Sequence, residues 1–160
     1  MATNVRNTSP LASIVVAQTK ILAERIGAGS SFHLDAGTAI ASSNASDLAT
    51  SLVLANEIKG VYEDHLKNDA MHKVRTSITT LAKATTLATA ITLANAIKAD
   101  YNTHRASTTY HYNADATNVV TSADATDQGS LNTLLNEMKG DLNAHIASAP
   151  AGALARLVDA

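Results

Sequence analysis

Apolar residues return at every fourth position in three separate stretches of this chain, with polar residues between them. The three sets are Leu54, Ile58 and Tyr62; Leu93, Ile97 and Tyr101; and Leu134, Met138 and Leu142. At about 100° per residue, such spacing keeps each set on one side of a helix. Start signals frame the same stretches: Ser46 or Asp47 can cap the first, and Asp127 the last. The pattern predicts helices over 47–67, 85–106 and 128–147. A weaker pattern, SPLASIVVAQTKILAERIG, opens with Ser9 and Pro10 and closes at Gly27 and Gly29, predicting a further helix over 10–27.

The three strong stretches share one phrase. Leu54 to His65 reads LANEIKGVYEDH, Leu93 to His104 reads LANAIKADYNTH, and Leu134 to His145 reads LLNEMKGDLNAH. Asn, Lys and His keep their places in each: Asn56, Lys59 and His65; Asn95, Lys98 and His104; Asn136, Lys139 and His145. The asparagines recur at intervals of 39 and 41 residues, the period of a supersecondary unit. The first stretch is a degenerate copy, with Lys20 in place but Ala17 and Ile26 where Asn and His would stand, as a terminal capping repeat often is.

The connections repeat too. His33, His72 and His111 each begin a Ser-, Thr- and Ala-rich segment, best seen in HYNADATNVVTSADATD, whose hydroxyls and amides favour turn-rich or extended backbone. The middle connection differs: beside the helix over 85–106, Ile78, Leu81 and Leu87 leave open an extension of it back to about residue 77. A connection of about 15 residues can span a helix of about 20, so parallel and antiparallel packing both remain open. The expected fold is all-α: a four-helix bundle, or an array of ~40-residue helix-plus-connection repeats. Residues 10–149 form one domain, 1–9 a flexible arm, and 150–160 a tail in which Leu154, Leu157 and Val158 keep helical spacing and suit docking.

Composition narrows the function more than the fold. Aromatics are 3% of 160 residues, so the core is built from Leu, Ile, Val and Ala, with little apolar area per residue. A modestly stable subunit that gains from oligomerisation or attachment follows. A net charge of −2 with scattered Lys and Arg gives no nucleic-acid footprint. The absence of Cys removes disulfides, zinc–thiolate sites and thiol catalysis. The start MATNVRNTSP has no basic region leading into an apolar one, so no secretory signal is expected, and no apolar run reaches bilayer length.

All six histidines belong to the repeat, and His65/His72 and His104/His111 are each seven apart. Imidazole is a common metal ligand, but the acids that would complete a mixed set do not recur: Asp35 follows His33 by two residues, Asp115 follows His111 by four, and His72 has none. The favoured expectation is therefore no metal and no cofactor, each helix histidine bonding a carbonyl or hydroxyl of the adjacent connection. The asparagines are expected to tie neighbouring backbones together, and the lysines to be solvated at the stripe's edge. Glu57 with His65, or Asp64 with His65, would make an acid–base pair, but an active site needs one asymmetric constellation, not three similar ones. No phosphate loop or metalloprotease motif appears, so no catalytic residue is expected.

LANAIKADYNTH and LLNEMKGDLNAH, joined by YHYNADATNVVTSADATD, resemble the Ala/Thr/Asn/His-rich helical repeats of tailed-bacteriophage structural proteins, over about residues 47–149. The resemblance implies a non-enzymatic virion protein made in the host cytoplasm, preferably a capsid-bound decoration or cement subunit in many copies. Tail, neck or fibre placement stands close behind. The implied partners are further copies of itself and other virion proteins such as the major capsid protein, with neither nucleic acid nor membrane. The resemblance supplies no catalytic residues. Two competing readings are a metal- or ligand-binding helical bundle using the histidine rows, and a cellular scaffold subunit.

Overall fold

In the computed structural model, residues 38–67, 72, 74, 76–111 and 114–147 are described. Three helices carry the fold: α1 (Leu48–Lys67), α2 (Leu87–Arg105) and α3 (Gln128–Ala147). Each packs against both others, so they close a triangle, and the described part is all-α. The expected helix over 10–27, the arm over 1–9, His33, and the tail with Leu154, Leu157 and Val158 lie outside the described residues.

The helices are parallel and in register. At their N-terminal ends the Ser51 hydroxyl lies 2.7 Å from Asn132 Oδ1. Further along, Tyr62 meets Tyr101 edge to face, and at the C-terminal ends His65, His104 and His145 come together. Every residue of the three sequence stripes is buried, from Leu54, Leu93 and Leu134 to Tyr62, Tyr101 and Leu142. Parallel helices require each connection to travel back the whole helix length, and the connections do so along the outside. Each places two apolar residues into the core: Ile40 and Ala45, Ile78 and Ala84, Val120 and Ala125.

The repeated asparagines fasten these connections. Asn56 Nδ2 donates to the Ala84 carbonyl (2.9 Å), and its Oδ1 accepts the Ala84 N–H (2.8 Å). Asn95 holds Ala125 in the same way, at 3.0 and 2.8 Å, and Asn136 holds Ala45, at 3.1 and 2.7 Å. Each helix thus grips the connection entering the next helix, and α3 grips the one entering α1. The cycle is closed. A second row repeats the grip with Asn102 on Val120 and Asn143 on Ile40. The equivalent position on α1 is Glu63, whose carboxylate takes Lys59, Lys67 and the Ser77 hydroxyl.

At the end of the middle connection, helix α2 does not extend back to residue 77; it starts at Leu87, where Thr86 and Thr89 form a reciprocal capping box. The Asn56 clamp holds Ala84 in a form that no helix hydrogen bond could share, and the cap begins immediately after it. Asp47 with Thr50, and Asp127 with Ser130, cap the other two helices by the same exchange.

Candidate functional site

Parallel, in-register packing has a chemical consequence. The histidine at the ninth position after each clamping asparagine falls at one level of the triangle, and all three point inward. His72 and His111, seven residues beyond His65 and His104, come back under the helix ends to join them. The path to His111 is fixed by two backbone bonds, Ser107 N–H to the His104 carbonyl and His111 N–H to the Ser107 carbonyl. The result is five imidazoles between 0 and 7% exposed, with ring centroids 4.4–6.2 Å apart among the pairs in contact.

Within this cluster the Nε2 atoms of His65, His72 and His104 form a nearly equilateral triangle: 3.2 Å for His65–His72, 3.1 Å for His72–His104 and 3.1 Å for His65–His104. His111 brings one further ring nitrogen, and the four ligand atoms all lie within 4.8 Å of one another. Burial first, and then the neighbouring His145 and His72, push the His111 pKa down to about 3. Its imidazole is neutral at neutral pH.

His145 is held differently. Its Nδ1 lies 2.8 Å from Asp115 Oδ2, and both side chains are fully buried. Asp115 also accepts the Thr117 and Asn118 backbone N–H groups, the Thr117 hydroxyl and the Asn118 amide. Burial works to raise the Asp115 pKa, but the bonds from His145, Asn118 and the backbone outweigh it and hold the carboxyl far below the usual range. Asp115 is thus a buried permanent anion beside the cluster, orienting one ring of it.

The histidines gather on one another, and Asp115 binds His145, thirty residues away. The lysines are tied down instead of solvated: Lys98 pairs with Asp124 (2.8 Å), Lys139 Nζ donates to the Ser42 carbonyl (2.6 Å), and Lys59 pairs with Glu63 (3.0 Å). The asparagines do tie backbones, as the clamps show. Glu57, singled out in the sequence only beside His65, and Glu137, not singled out, accept the paired N–H groups of Ala41 and Ser42 and of Thr121 and Ser122. Their signal was a glutamate directly after the clamping asparagine in two of three copies.

Chemically, a buried, four-nitrogen imidazole set can hold a cation. Glu57 and His65 do not form an acid–base pair, since the Glu57 carboxylate is engaged by the connection before α1. Among the described residues, no helix is long and apolar enough to cross a membrane. Compared with protein-family models, curated proteins and solved structures, the chain has no match in any of the three.

Proposed function

We propose that the chain is a non-enzymatic structural subunit of a tailed-phage virion, in its preferred form a head-decoration or cement protein present in many copies. The observation that carries this reading is the closed cycle of asparagine clamps, with Asn56 on Ala84, Asn95 on Ala125 and Asn136 on Ala45. The residues that define the repeat hold the subunit together, leaving its chemistry architectural. The resemblance of the repeated phrases supplies the virion context. The low aromatic content of the core favours a subunit that gains stability from its neighbours, which are copies of itself and the major capsid protein.

Tail, neck or fibre placement is the finer alternative, and a cellular scaffold the broader one. Mass spectrometry of purified particles separates them. The decoration reading expects the chain in a copy number comparable to the capsid protein. A handful of copies per particle moves it to the tail or neck, and its absence from particles refutes the virion reading.

A further inference from the structure

We propose that His65, His72, His104 and His111 form a structural site for one divalent transition ion of the zinc type, joining the C-terminal ends of α1 and α2 to the turns that follow them. Three mutual nitrogen contacts of 3.1–3.2 Å are the starting point. Each Nε2 carries either a hydrogen or an in-plane lone pair, never both. Among three such atoms, at most two of the three contacts can be N–H···N bonds, and the third sets like against like. A shared cation satisfies all three at once. Tetrahedral zinc, with Zn–N of about 2.0–2.1 Å, separates its ligand nitrogens by roughly 3.3–3.4 Å. The triangle already has close to that edge, and the His111 nitrogen needs only side-chain adjustment to become the fourth apex.

The ligand set selects the ion. It contains no carboxylate, so hard, oxygen-seeking Mg2+ and Ca2+ have no purchase. It contains no thiolate, and an all-imidazole site suits Zn2+, Co2+, Ni2+ and Cu2+. Four protein nitrogens leave no open position, as in structural rather than catalytic zinc sites. Asp115 contributes negative charge through His145, whose ring packs 5.1 Å from His65 and 5.2 Å from His111, and so offsets part of the ion's charge.

Seven residues after each of two helix histidines a second imidazole packs against the first, His72 on His65 (4.5 Å between ring centroids) and His111 on His104 (4.4 Å). His65 with His72 and His104 with His111 are thus two chelating pairs. The inference stands apart from virion placement: either can fail while the other holds.

The test uses the full chain, stripped with chelator and then titrated with Zn2+ and, separately, Co2+. One equivalent should bind. The Co2+ form should show the strong visible absorption of a four-coordinate site, and the melting temperature should climb with free metal. Mg2+ should do neither. His72→Gln, a change in a connection rather than a helix, should weaken Zn2+ binding by more than about 100-fold while keeping the helix content. A folded stripped chain that retains no metal and melts at the same temperature with and without Zn2+ overturns the proposal. So does a weak six-coordinate Co2+ spectrum, or wild-type affinity in His72→Gln. If that variant fails to fold, the wild-type titration still decides.

Discussion

Asn95 holds Ala125 by both polar groups of one residue, its amide nitrogen 3.0 Å from the Ala125 carbonyl and its amide oxygen 2.8 Å from the Ala125 nitrogen. Ala125 is itself buried, 2% exposed, so its peptide groups have given up bulk water. Asn95→Ala leaves both groups without their protein partner. A buried group so abandoned costs about 1–3 kcal/mol, and partial access at the half-buried clamp keeps the total near the upper end of that range rather than double it. Urea denaturation should show this loss, and the same loss for Asn56→Ala and Asn136→Ala. A change below about 0.5 kcal/mol, the noise of ordinary surface substitutions, would mean that water replaces the clamp freely.

Acid should weaken the fold through Glu137. Burial raises its pKa, but bonds from the Ser122 and Thr121 side chains and backbone N–H groups outweigh that and bring it down to about 2 from an ordinary 4.5. The unfolded chain therefore binds this proton at higher pH than the folded chain does. The resulting stability is present above pH 4.5 and disappears as pH falls through the window toward 2. Glu137→Gln keeps one acceptor oxygen of the two but does not titrate. Its urea midpoint should fall less between pH 5 and pH 3 than that of the parent chain, both measured with chelator present. Parallel acid profiles for the two would remove Glu137 from the account.

The helices and their buried stripes were legible because helical periodicity is local: Leu54, Ile58 and Tyr62 specify an inward face without reference to anything distant. The role of the asparagines was legible as well, but their partners were not. Asn136 reaches Ala45, 91 residues back, and that pairing exists only once the triangle has closed. The same holds for the histidine cluster. A single copy of the repeat presents at most two imidazoles seven apart, and only parallel, in-register packing turns several copies into one site. Searching for recurring acids missed it, because the histidines are one another's partners. The helix over 85–106 was legible within two residues, and the alternative start near residue 77 fails for a local reason. Ile78 and Leu81 mimic helical spacing, but Ile78 enters the core from a connection.

Two tyrosines at equivalent positions should respond unequally to loss of the hydroxyl. Tyr62 donates to the Asp100 carboxylate (2.6 Å), a residue exposed enough for water to take over. The Tyr101 hydroxyl lies 2.8 Å from the Asn118 carbonyl and 3.1 Å from the Asp141 carbonyl, tying the connection before α3 to α3 itself. The third copy carries Leu142 here and needs no hydroxyl. Tyr101→Phe should cost about 1–2 kcal/mol, and Tyr62→Phe less than about 1 kcal/mol. Equal losses in thermal or urea unfolding would show that the carbonyls gain nothing special from Tyr101.

The start of α2 offers a test in which two residues must be changed together. Thr89 N–H donates to Thr86 Oγ1 (3.3 Å), Thr86 N–H donates to Thr89 Oγ1 (2.9 Å), and the hydroxyls lie 3.1 Å apart. Thr85 N–H also reaches Thr89 Oγ1, so Thr89 satisfies two backbone donors and Thr86 one. Replacing an N-cap threonine by alanine typically costs about 1 kcal/mol. Thr86→Ala should show that loss, and Thr89→Ala at least as much, because it abandons more donors. Since the two side chains act as one unit, the double variant should lose less than the sum of the singles, by about 0.5 kcal/mol or more. Strict additivity would mean that the exchange is two unrelated hydrogen bonds. The cap would then not be what sets the boundary at Leu87, and the Asn56 clamp on Ala84 would have to set it alone.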